Sequence, residues 1–149
     1  GANNLLRIKE TYFTAIKYAF IIMVTAGVLV FLSASVITSF FSNDPEVIEY
    51  GKRYLKISAF ALPAYPVFFL SNGFFMALKK SENAMISNFF RNVLNPIVVF
   101  YISKHINASF ETFFWIWVGI NWFFSISYFF VVIYYFKKRL NKSSAVVHP

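Results

Sequence analysis

Four polar residues, Asn88, Arg91, Asn92 and Asn95, recur at spacings of three and four within an otherwise apolar stretch. On an α-helix that spacing puts all four on one face. Such a stripe is costly in hydrocarbon unless it faces protein or water. It reads in two ways: as hydrogen bonding between helices, with Arg91 snorkelling to the inner surface, or as the lining of a solute pathway. Asn121 and Ser125, about one turn apart, are candidate partners, and so is the run Ser71-Asn72-Gly73. The candidate pathway residues are thus Asn72, Asn88, Arg91, Asn92, Asn95 and Asn121. Upstream stand Pro63 and Pro66. Each lacks a backbone donor and would free the carbonyl four residues earlier, those of Ala59 and Leu62. Beside a cavity, such carbonyls can coordinate cations or solutes. The pair reads either as a packing kink or as a hinge.

Other chemistry is missing. There is no Cys, hence neither a disulfide framework nor a thiolate metal site. The two His, His105 and His148, share no ligand spacing, and no metal motif, phosphate-cradling glycine loop or Ser-His-Asp order occurs. Nothing argues for an enzyme, a metal or a cofactor. The apolar stretches contain no Asp or Glu, although Glu49 and Glu111 flank them and would matter if either dipped inward.

The elements that hold these residues follow from composition. Of 149 residues, 58% are hydrophobic, 22% aromatic and 13% charged, with mean hydropathy +0.59. A soluble domain averages about 25% charged residues, and a chain this short could not bury so much apolar surface in one core. Its solvent is largely lipid. Four stretches reach the roughly 20 residues that a spanning helix needs, at about 18–43, 57–78, 83–103 and 112–136. None alternates with period two, so a barrel is disfavoured. Backbone groups in lipid must be satisfied within the segment, which leaves helices. The expected fold is all-α and polytopic. Residues 1–17 form an inner-side loop and interfacial helix, 18–136 hold the four spans, and 137–149 form a basic, frayed tail.

Local signals refine this picture. Leu5, Leu6, Ile8, Tyr12, Phe13 and Ile16 recur at helical spacing, which suggests a short interfacial helix before the first span. Asp44-Pro45-Glu46 has the order of a helix start: N-cap, first position, first turn. Trp115, Trp117 and Trp122 read as an interfacial belt, or alternatively as an aromatic pocket for flat organic cations. The net charge is +8. Of 14 Lys and Arg, four (Lys52, Arg53, Lys56, Lys104) fall on one side of the expected bilayer and ten on the side of both ends. The positive-inside rule then places both ends in the cytoplasm. The charge is explained by topology and lipid headgroups rather than by nucleic acid.

Several blocks resemble the second lobe of MATE-type multidrug and toxin extrusion transporters. They are Gly1-Ala2-Asn3-Asn4 with Arg7-Ile8-Lys9-Glu10, Phe40-Phe41-Ser42-Asn43-Asp44-Pro45-Glu46-Val47 followed by Tyr54-Leu55-Lys56-Ile57, and Asn72-Gly73-Phe74-Phe75-Met76-Ala77-Leu78-Lys79-Lys80-Ser81. Arg91 also resembles an Arg that family members often carry in this helix. Lys79 stands where the family usually has Gly. The resemblance implies two lobes of six helices around a central cavity, working by alternating access on a sodium or proton gradient. It makes this chain the last four helices of the C-terminal lobe, part of an efflux antiporter for small organic substrates in the cell membrane. Gly1 in place of an initiator Met suggests that preceding helices of the same transporter are its partners. The coupling ion would bind among those helices, so no coupling residue is assigned here. Two alternatives remain open: a lipid-linked oligosaccharide flippase of the same superfamily, and a stand-alone four-helix membrane scaffold.

Overall fold

Side chains that turn outward along the first helix are Ile22, Leu29, Leu32 and Val36, and along the last helix Phe123, Phe130 and Val131. That is the surface expected of helices whose solvent is lipid. The computed structural model describes residues 2–145, with side chains from 7 to 138; Gly1 and 146–149, including His148, lie outside the described residues. The elements are α1 (Ala2–Phe41), α2 (Pro45–Ala59), α3 (Ala64–Ala77), α4 (Ser81–Phe89), a π-turn (Phe90–Leu94), α5 (Asn95–His105) and α6 (Phe110–Ala145), with no strand among the described residues.

By length and composition, α1 (over Arg7–Phe41) and α6 (over Phe110–Lys138) can each cross a membrane, and the bent pair α2–α3 makes a third crossing if counted as one. Four spans were expected. The third, expected at 83–103, corresponds to α4, the π-turn and α5, which are nine, five and eleven residues long. Their Asn, Ser and Arg content keeps them less apolar than the others.

The expected interfacial helix is not a separate element. α1 runs unbroken for 40 residues, about 60 Å at 1.5 Å per residue, twice the roughly 30 Å hydrocarbon thickness. No Gly or Pro interrupts 5–18, so nothing ends the helix there. The apolar residues of that stretch face protein instead of headgroups. Tyr12 is buried with Phe74, Phe75, Tyr128 and Phe136, and Ile8, Phe13 and Ile16 pack around them. Leu5 and Leu6 lie outside the residues with described side chains. The expected frayed tail is likewise helical as far as Ala145. No Gly or Pro stops it before Pro149.

The turn between α1 and α2 is as the residues suggested. Asp44 Oδ1 accepts the Glu46 N–H at 2.9 Å, and Pro45 takes the first position. The helix that starts there runs through the whole connection between the first two expected spans, to Ala59. α1 and α2 then pack very closely. A Cβ on Gly27 would sit 2.9 Å from the Ala59 carbonyl oxygen, so glycine is required at that crossing.

The two hairpins that follow end in left-handed residues. At Lys79 φ is 56°, and at Asn107 it is 50°. After α3, the Lys80 N–H reaches the Phe75 carbonyl at 2.9 Å and the Lys79 N–H reaches Met76 at 3.0 Å, the paired closure of a Schellman cap. α5 ends the same way, with Ala108 bonded to Ser103 at 2.8 Å and Asn107 to Lys104 at 3.3 Å. Asn tolerates this conformation; Lys does so at a cost of about 1–2 kcal/mol. Lys79→Gly is therefore expected to raise the thermal unfolding midpoint in detergent, by a stabilisation of about 1 kcal/mol. Lys79→Ala, which still has a Cβ, should give no gain.

Candidate functional site

Pro63 and Pro66 produce a bend of 52° between α2 and α3. The break occupies 60–63. Pro66 falls in the first turn of α3, where a missing N–H leaves no bond unmade. The two carbonyls expected to be free are both taken. Ala59 accepts from the Leu62 N–H at 3.3 Å, and Leu62 accepts from the Tyr65 N–H at 3.2 Å. Tightening into three-residue turns satisfies them locally. The carbonyl that turns away from its own helix is that of Phe60, and the Trp122 indole N–H donates to it at 2.9 Å. Each expected carbonyl thus already holds a hydrogen bond within the chain. The proline spacing could have flagged the break but not which oxygen would leave the helix.

Asn72 ties three helices together. Its Oδ1 accepts from the Tyr128 hydroxyl at 3.0 Å, and its Nδ2 donates to Asn88 Oδ1 at 3.1 Å. The neighbouring Ser71 shares a 2.7 Å hydrogen bond with the Tyr12 hydroxyl and donates to the Val67 carbonyl. Adjacent residues of α3 thereby hold α1 on one side, and α4 and α6 on another. Sequence reading placed Asn72 and Asn88 together but missed Tyr12 and Tyr128. Both lie in aromatic-rich helices where a tyrosine is indistinguishable by pattern from the surrounding phenylalanines.

Arg91 lies against the aromatic face of α3. Its guanidinium lies 4.6, 4.3 and 5.2 Å from the ring centroids of Tyr65, Phe68 and Phe69. The aromatic face of α3 offers a half-buried cation a partner without a carboxylate.

The expected one-sided stripe does not form. Pro96 cannot donate, and its ring would press on the Asn92 carbonyl in a regular helix. The helix widens just before it, so that the Asn95 N–H bonds back to Phe90. Beyond this turn the faces are rotated. Asn88 points to α3, Asn92 is exposed, and Asn95 is buried in line with Val99 and Ser103 where α5 packs on α6. The Asn95 Oδ1 is buried with no hydrogen-bond partner, and is thus an acceptor open to any donor that enters the bundle.

On α6, Asn121 and Ser125 lie on the buried line with Val118, Tyr128, Val132 and Phe136. The Asn121 amide donates to the Trp117 carbonyl of its own helix at 2.9 Å rather than to the stripe. Glu49 and Glu111 do not dip inward. Arg53 bonds Glu49 at 3.0 Å and Glu111 at 3.1 Å, joining α2 to the start of α6 at the surface. Among the described residues, no three His, Asp or Glu converge to hold a metal.

The Asn72 junction gives a direct test. Tyr128→Phe removes one hydrogen bond and should lower stability by about 1 kcal/mol. Asn72→Leu strands both the Tyr128 hydroxyl and the Asn88 carbonyl oxygen and should cost about 2–4 kcal/mol. In the double variant the two losses should be less than additive, as read by thermal unfolding in detergent.

No curated protein and no solved structure matches the chain. The family model MatE matches residues 1–101, from α1 through most of α5, leaving α6 outside the match. With most of its length under that model and an all-helical, lipid-facing fold, the chain belongs to the MatE family of membrane transporters.

Proposed function

We propose that the chain forms part of a cation-coupled efflux antiporter for small organic cations, working by alternating access in the cell membrane with both of its ends on the cytoplasmic side. Membership of the MatE family carries this reading. Sodium or protons would be the coupling ion and would bind on helices other than these, because the apolar stretches here offer no carboxylate. Further helices of the same transporter would be its partners, and neither a cofactor nor nucleic acid is invoked.

Within this scheme the candidate pathway comprises Asn95, with its unsatisfied carbonyl oxygen, and the exposed Asn92. Asn72 and Asn88 hold the wall together. Arg91 is engaged with three rings, which leaves a flippase without the one basic residue that would favour it. The bend at Pro63 is the proposed hinge.

Transport by the full-length protein in drug-sensitised cells tests both parts. The Pro63→Ala, Pro66→Ala double variant should lower efflux several-fold while surface expression is retained. Unchanged efflux would remove the hinge from the scheme. A wild-type protein that exports no organic cation against a sodium or proton gradient would remove the antiporter reading itself.

A further inference from the structure

The bend in α2–α3 opens a groove. Gly27 and Phe31 of α1, Phe60 at the break, and Trp115, Gly119 and Trp122 of α6 line a space of about 630 Å³. Its walls are almost wholly apolar side chains. The one polar backbone atom exposed by the break, the Phe60 carbonyl oxygen, is already covered by Trp122. Apart from the Trp115 indole the walls offer little to a polar ligand, which points to a largely hydrocarbon occupant.

Length and depth agree with that. The α1 wall from Val24 to Leu32 is about 12 Å long at 1.5 Å per residue. That approaches half of the roughly 30 Å hydrocarbon core, or one leaflet. The groove lies in the half of the bundle next to the α1–α2 turn and the start of α6, where Arg53 joins Glu49 and Glu111.

One cation stands at its end. Lys56 is one turn before Phe60 on α2, and its ammonium lies 5.2 Å from the centroid of the Phe31 ring, itself a wall of the groove. Phe31 and Phe60 are in edge contact at 6.0 Å. Among the described residues Lys56 has no carboxylate partner, because the nearby Glu49 is held by Lys52 and Arg53, and Glu111 by Arg53. An apolar slot about one leaflet long, ending at an ammonium with no carboxylate partner, is complementary to a lipid with a negatively charged head.

We propose that this groove is a binding site for an anionic phospholipid, with one acyl chain lying along Gly27 and Gly119 between α1 and α6 and the headgroup phosphate drawn to Lys56. Gly119 leaves room for the chain: a Cβ there would meet no atom within 4 Å. The assignment is separate from the transport reading and does not depend on it.

Trp115 and Trp122 are built-in reporters, and Trp117→Phe removes the third tryptophan of the chain. The full-length protein, with Trp117 and any tryptophan on its other helices replaced by Phe, is reconstituted in phosphatidylcholine vesicles containing either brominated phosphatidylglycerol or, at the same mole fraction, brominated phosphatidylcholine. Brominated phosphatidylglycerol should quench the remaining fluorescence at about fivefold lower mole fraction than brominated phosphatidylcholine, the preference expected of one lysine near the surface. Lys56→Gln should abolish the preference, Lys56→Arg should keep it, and Gly119→Leu should weaken quenching by both lipids. Equal quenching by the two lipids would mean ordinary solvation by bulk lipid and overturn the proposal. So would a preference that survives Lys56→Gln. Absence of quenching by either lipid would show that protein covers the groove, and would overturn it as well.

Discussion

The hydrogen bond from the Trp122 indole to the Phe60 carbonyl lets a broken helix exist inside a membrane. A proline break strips backbone bonds at a depth where no water replaces them, and each bare group there costs several kcal/mol. The chain answers in two ways. Tight turns absorb the carbonyls of Ala59 and Leu62, and a side chain from a helix far along the sequence absorbs Phe60. The bend is therefore a property of α6 as much as of the prolines. The same constraint shapes the opposite end, where Tyr12 pairs with Ser71, and Asn72 with Asn88 and Tyr128, so that four helices are joined. In lipid, polar pairs and close aromatic packing hold helices together, because burial from water supplies no force there.

The two ends differ in consequence. Where α3 and α6 end and α1 begins, rings are densely packed. The centroids of Phe74 and Phe136 are 4.5 Å apart, and Phe75 stacks on Tyr128 at 5.6 Å. Where α1 packs on α2, two glycines permit the close approach, Gly27 against the Ala59 carbonyl and Gly51 against Thr38. There α1, the break and α6 leave the groove between them, while α2 and α6 stay packed through Tyr54 and Phe114, 4.9 Å between ring centroids, and are joined at the surface by Arg53. One end of the bundle is sealed by side chains and the other is held ajar by a bend.

Sequence reading succeeded where the signal was local. Asp44-Pro45-Glu46 marks its cap because the bond it makes spans two residues. The family blocks pointed to Gly at position 79, and the backbone there is indeed left-handed although the residue is Lys. The apolar content identified the solvent. Reading failed where a distant partner decides the outcome. Nothing near Phe60 says that Trp122 will reach it, and nothing near Arg91 distinguishes a path to the surface from three rings on the neighbouring helix. The stripe failed for a different reason. Counting by threes and fours assumes an unbroken α-helix, and Pro96 forces a wider turn just upstream. The interfacial helix failed because periodicity tells which residues share a face, but not whether lipid or protein lies against it.

The π-turn at Phe90–Leu94 behaves as a phase slip in the helical reading frame. One extra residue is accommodated without a loop, and each residue of an α-helix carries about 100° of rotation. The segment before it is thereby keyed to α3 and the segment after it to α6. Excising a single position from this stretch would bring the two halves back into step. Asn95, Val99 and Ser103 would then swing away from the surface they now occupy. The length of this helix, counted in single residues, thus sets which neighbour each of its halves can serve.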